Sequence, residues 1–174
     1  IIGRLVGSEM CIRDRRQGAI SHEDSLGNKG KTQAGDVQVM SAGSGVRHSE
    51  FNDEDETTSL YQIWIKPNKL NVQPRWDAKE FPKNYVDDHL DLLVGNNENA
   101  PLFIHADATI HAGKVHANKT LTHRLERSGY LLASSGSFSV NGVKLSKGDA
   151  LEIIDIKDLE INSTEDSELL VIDV

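Results

Sequence analysis

Cysteine is almost absent from these 174 residues: Cys11 stands alone. No disulfide can form within the chain, and no oxidising compartment is implied. A basic excess is missing too. Nineteen Lys and Arg face 27 Asp and Glu, giving a net charge of −8 and a pI near 5.3. That balance argues against direct nucleic-acid binding, which needs a basic face, and against an anionic membrane surface as partner. No apolar run approaches the ~20 residues of a membrane span. The opening Ile1-Ile2-Gly3-Arg4-Leu5-Val6-Gly7 is too short and poorly flanked for a secretory signal, so a cytoplasmic location is expected. Helical periodicity is also lacking: no stretch of about eleven residues or more places apolar side chains every three to four positions. Proline is scarce at four residues, and the mixed-polarity stretch Pro67–Asn84, which holds Pro67, Pro74 and Pro82, reads as a connector.

What is present is β-type sequence punctuated by Gly, Asn and Asp. Ser21–Glu23, Val37–Met40, Val46–Phe51 and Leu60–Ile65 read as strands, with Asp24-Ser25-Leu26-Gly27-Asn28 as a hairpin loop. Further on, His89–Val94, Leu102–Ile104, Thr109–His111, Tyr130–Ala133, Phe138–Val140, Val143–Leu145, Ala150–Ile154, Leu159–Ile161 and Leu169–Val174 read the same way. Asn141-Gly142 is the strongest hairpin signal in the chain. One order occurs twice. Gly18-Ala19-Ile20, a polar hairpin, Gly35-Asp36 and an apolar strand are echoed by Gly136-Ser137-Phe138, the Asn141-Gly142 hairpin, Gly148-Asp149 and Leu151–Ile154. The repetition implies two related β-barrel lobes.

The candidate chemistry sits in the first of them. His48 and Glu50 are two apart in an extended run, so both point to one face while Ser49 points to the other. An imidazole and a carboxylate side by side on an inner barrel face make half of a non-haem metal site. His22 and Asp24 share the same spacing, but read more simply as a surface hairpin in which Asp24 holds the turn. His105, His111, His116 and His123 are spaced five to seven apart, which fits no common metal motif. The acidic loop Asn52–Thr58 reads as a solvated loop ahead of a cation site. Tyr61 and Trp64 fall on opposite faces of one strand and are expected to pack in the core.

Gly35–Asn52 resembles the second sequence motif of the cupin superfamily. It departs from that motif at Ser41, where a proline is usual, and in the length of the gap from Gly43 to His48. More narrowly, Asp24–Asn28, Met40–Gly45, His48-Ser49-Glu50 and Leu60–Ile65, taken in order, resemble the pirin family of bicupins, and most nearly its bacterial members that open the flavonol quercetin with dioxygen. The resemblance implies an all-β cupin fold (double-stranded β-helix, or jelly-roll) with a truncated first lobe. Its parts are a non-family leader over 1–17, the C-terminal part of the first lobe over 18–78, a connector over 79–100 and a second lobe over 101–174.

The resemblance further implies a divalent metal, usually iron, held by three His and one Glu. Two of these map to His48 and Glu50, and Glu50 is also the group that would take a proton from the substrate hydroxyl. The other two belong to a His-x-His pair expected upstream of Gly18, where this chain has no histidine. Residues 5–15 resemble translated sequencing adapter and are read as foreign, with a divergent genuine leader as the rival reading. The second lobe has no His at the position equivalent to His48, and a structural, metal-free role is expected for it.

The expected function is a metal-dependent, quercetin-dioxygenase-like oxidoreductase, with this chain an inactive fragment of it. A metal-responsive regulatory cupin that binds a protein partner without catalysis is the alternative.

Overall fold

The computed structural model describes residues 2–5, 10–80 and 84–174, the first two strands by their backbone alone. Ile1 and residues 6–9 of the expected leader, and residues 81–83 of the expected connector, lie outside the described residues. Every regular element among the described residues is a strand. The chain divides into two compact units, Ile1–Phe81 with Asn96–Asp107, and Pro82–Gly95 with Ala108–Val174.

The first unit contains β1 (Ile2–Leu5), β2 (Met10–Gln17), β3 (Ala19–Asp24), β4 (Lys29–Gln33), β5 (Asp36–Ser41), β6 (Val46–Phe51), β7 (Ser59–Ile65) and β8 (Arg75–Glu80). They form two four-stranded antiparallel sheets, ordered β1-β6-β3-β4 and β7-β2-β5-β8. Next in the chain come β9 (Asp91–Gly95), which is part of the second unit, and β10 (Leu102–Phe103), which groups with the first. The remaining strands of the second unit are β11 (Thr109–Val115), β12 (Thr120–Arg124), β13 (Gly129–Ser135), β14 (Ser137–Val140), β15 (Val143–Ser146), β16 (Ala150–Ile153), β17 (Asp158–Ser163) and β18 (Ser167–Asp173). In one sheet they run β9-β11-β18-β13-β16, in the other β12-β17-β14-β15.

The repeated Gly-Asp signal has one physical basis in both units. Gly35 and Gly148 adopt positive φ at a turn, and the following Asp accepts a backbone N–H from three residues back: Gln33 N to Asp36 Oδ2 at 2.7 Å and Ser146 N to Asp149 Oδ2 at 2.9 Å. The Asn141-Gly142 pair takes φ of 47° and 84°, with Val140 paired to Val143, as a two-residue hairpin turn requires. The second unit closes on a core that includes Leu125, Leu131, Phe138, Leu159, Ile161 and Leu169, all nearly inaccessible.

The structure departs from the sequence reading at particular strands. Residues 5–15, read as foreign, show no strand alternation in their sequence, yet the backbone of Met10–Gln17 lies between β5 and β7 with Cys11 opposite Met40 and Trp64. The strand read at His89–Val94 is present as β9, inside the segment set out as a connector. β4, β8 and β12 went unread because each is an edge strand with few buried apolar side chains. Trp64, expected in the core, is 53% exposed.

Candidate functional site

β6 alternates strictly: Val46, His48 and Glu50 are buried, whereas Arg47 and Phe51 are exposed. On the adjacent strand β3, His22 and Asp24 take the same inward face. The antiparallel register sets His22 opposite Glu50 and Asp24 opposite His48, so two imidazoles and two carboxylates form a checkerboard. None of the four is more than 8% exposed. His22 lies between the two acids, its Nε2 3.5 Å from Asp24 Oδ2 and its Nδ1 3.6 Å from Glu50 Oε1. Both separations are longer than tight hydrogen bonds.

His22 and Asp24 are therefore not on a surface hairpin, as their spacing alone suggested. Asp24 does hold the turn: its Oδ1 accepts from the amides of Leu26 (2.9 Å) and Asn28 (3.0 Å), and its Oδ2 from Asn28 Nδ2 (2.8 Å). Burial works to raise its pKa, but the hydrogen bonds from Asn28, Leu26 and His22 outweigh it and hold the carboxyl below its usual range.

Three groups that sequence reasoning did not single out complete the surroundings. Gln38 Nε2 donates to Glu50 Oε1 at 2.9 Å, and Thr32 Oγ1 donates to Gln38 Oε1 at 2.7 Å. The signal for Gln38 was its place as the one amide inside the apolar run Val37–Met40. Trp76 stacks on His22 with ring centroids 5.4 Å apart and planes 11° from parallel, and His22 in turn stacks on His48 at 5.8 Å and 22°. Each such contact contributes roughly 0.5–1.5 kcal/mol. Trp76 lies in the stretch that read as a connector, so nothing in its local sequence pointed to the site. Opposite it Gly30 has no room for a side chain: a Cβ there would stand 2.5 Å from the indole.

Among the described residues the donors do not make up the four-ligand set that the resemblance implies. Two of its four expected positions are filled, by His48 and Glu50. β1, which flanks β6 on the side away from β3, reads Ile-Gly-Arg-Leu, with no side-chain type that commonly binds a metal. Among the described residues no three His, Cys, Asp or Glu side chains converge to hold an ion.

The other candidate residues separate. The acidic loop is exposed and tied down: Lys31 pairs with Glu54, Ser21 Oγ donates to Asp53 at 3.0 Å, and Asn52 Nδ2 donates to the Glu56 carbonyl at 2.7 Å. His105 packs edge-on against Phe103. His116 stacks on Tyr85, whose hydroxyl donates to Asp166 at 3.0 Å. Of the four later histidines only His111 and His123 meet, with ring centroids 4.8 Å apart.

Comparison with known proteins assigns the family. Residues 15–65 match the pirin family and residues 92–174 its quercetinase C-terminal cupin domain. A relative from Pseudomonas aeruginosa is 47% identical over 163 residues, covering 91% of this chain and 70% of its own length. Quercetin 2,3-dioxygenase of Escherichia coli K12 is 34% identical over 161 residues, with 91% and 69% covered. The crystal structure of the bacterial pirin YhhW from Escherichia coli, in complex with nickel(II), superposes with a TM-score of 0.89 at 31% identity, covering 99% of this chain and 76% of that one. The all-β architecture and these matches agree: the chain belongs to the pirin family of bicupins.

Proposed function

We propose that the first unit is built for pirin-type oxidation of a flavonol such as quercetin by dioxygen, with His48 and Glu50 as two of the donors to a divalent metal, iron by family resemblance. The observation that carries this reading is the placing of His48 and Glu50 together, buried on one face of β6, with Glu50 aimed by a dedicated amide donor, Gln38. When bound, the metal would supply the dioxygen chemistry. Glu50 is the group proposed to accept the substrate's hydroxyl proton, and Gln38 holds its carboxylate against rotation. Trp76 closes the stack behind His22 and keeps the two imidazoles in register.

With two of the four expected donors found among the described residues, this chain is expected not to turn over. The test is aerobic quercetin consumption by the chain loaded with ferrous iron or nickel. The expected result is flavonol binding, read as quenching of Trp76 fluorescence in a Trp64→Phe background, with no consumption above that of the free ion. Failure to bind flavonol would overturn the substrate assignment. Consumption that disappears in His48→Ala would overturn the assignment of an incomplete centre. The buried His48–Glu50 pair fits a second reading as well, metal-responsive binding of a protein partner without turnover. Metal-dependent co-elution with such a partner, in the absence of flavonol binding, would select it.

A further inference from the structure

We propose that the interior of the second unit holds a divalent transition-metal site whose protein donors are His111 and His123. The two side chains come from different sheets. β11 lies in the sheet β9-β11-β18-β13-β16, and β12 is the edge of the sheet β12-β17-β14-β15. β12 alternates so that Leu121 and His123 face inward while Thr120, Thr122 and Arg124 face out. The two rings meet with centroids 4.8 Å apart and planes tilted by 60°.

Neither ring is satisfied. His123 is 8% exposed, and its Nε2 is buried with no hydrogen-bond partner; His111 Nδ1 is buried in the same condition. A buried nitrogen left unpaired costs about 1–3 kcal/mol, and one occupant shared by these adjacent rings would serve both. An ion at the usual imidazole bond length of about 2.0–2.1 Å stands about 3.2 Å from a ring centroid, so centroids 4.8 Å apart subtend about 100° at it. That angle lies between the octahedral and tetrahedral values.

The surrounding charge has the right sign. Asp173 on β18 is 3% exposed and acts electrostatically on both rings. Its oxygens accept the amides of Glu126 (2.7 Å) and Arg127 (2.9 Å), which fix the carboxylate in place. Its carboxylate, which also pairs with the Arg127 guanidinium at 3.9 Å, contributes a negative potential beside the two imidazoles, a setting that favours a cation. Imidazole donors select zinc, copper or nickel over magnesium or calcium, and solvent fills the remaining positions.

The test is calorimetric titration of Zn2+ into the chelator-treated full chain carrying His48→Gln and Glu50→Gln, which silences the first unit. The expected result is one bound equivalent, with affinity falling at least tenfold when either His111→Gln or His123→Gln is added. No binding, or a smaller fall in both variants, would overturn the site and leave a bridging water as the occupant. Because either substitution can disturb the fold, Ni2+ is also added to the otherwise unaltered chain and its amide spectrum recorded. Paramagnetic broadening centred on residues 110–112 and 121–124 supports the site, and broadening confined elsewhere overturns it.

Discussion

Gln38 is a lone amide in an apolar strand, and its two ends do different things. The nitrogen donates to Glu50, and the oxygen accepts from Thr32, with Gln38 itself 1% exposed. Replacing it by leucine keeps the volume and removes both bonds, so a loss of about 1–3 kcal/mol is expected in denaturant unfolding. Gln38→Glu is expected to be worse than leucine, because a second carboxylate beside Glu50 adds like-charge repulsion. Equal stability of the wild type and the leucine variant would show that the amide does not hold Glu50.

His123 gives the residue scale its pH dependence. Burial first, and then the neighbouring His111, push its pKa from 6.5 down to about 4, with Asp173 opposing only in part. Above pH 6.5 the ring is neutral in both folded and unfolded chains and carries no penalty. Between 6.5 and 4 the unfolded chain takes up a proton that the folded chain refuses, so stability falls as the pH falls. Over that window the metal-free protein is expected to lose about 3 kcal/mol, and His111, shifted in the same direction by burial, adds to the loss. Urea unfolding followed by the second unit's amides at pH 7 and pH 4.5 measures this, and His123→Leu is expected to flatten most of the slope.

At the scale of elements, the tight turn from β5 into β6 is what delivers His48 to the barrel interior. Gly43 sits in it at a φ of 55°, and a Cβ there would stand 2.0 Å from the Val72 carbonyl oxygen, a backbone atom that cannot swing away. Gly43→Ala is therefore expected to destabilise the first unit by well over ~1 kcal/mol. Gly35→Ala meets open space and suffers only the strain of its φ of 89°, so its loss is expected to be smaller. A thermal melt that ranks the two the other way round would refute the close-approach argument.

What could be read from sequence follows from where each strand lies. Val46–Phe51 and Val37–Met40 declared themselves because they are inner strands whose buried side chains form a period or a run, and with them came His48 and Glu50. β4 and β8 were illegible because edge strands bury little: Lys29–Gln33 buries only Thr32, and Arg75–Glu80 buries no side chain fully. The same fact hid Trp76, whose role depends on a stack across to His22 that no local pattern encodes. His22 and Asp24 had the correct spacing but lacked a reason to prefer the inside. That reason is the register with β6, a long-range property.

For the molecule as a whole, the net charge of −8 keeps copies apart near neutral pH, and that protection fades toward the pI near 5.3. The edges then decide its behaviour. β4 carries Lys29 and Lys31, and β8 carries Arg75, Asp77, Lys79 and Glu80, charges that discourage pairing with another copy. β7 has no such protection: Ser-Leu-Tyr-Gln-Ile-Trp-Ile is uncharged, stands at the end of its sheet and exposes Trp64. Concentration-dependent self-association is therefore expected, stronger at pH 5.5 than at pH 7.5. Placing one lysine on this strand, as Trp64→Lys, is expected to suppress it without altering the melt of the second unit. Sedimentation velocity over a range of concentrations reads the outcome. A monodisperse monomer at both pH values would mean that the local twist or the flanking loops already guard β7.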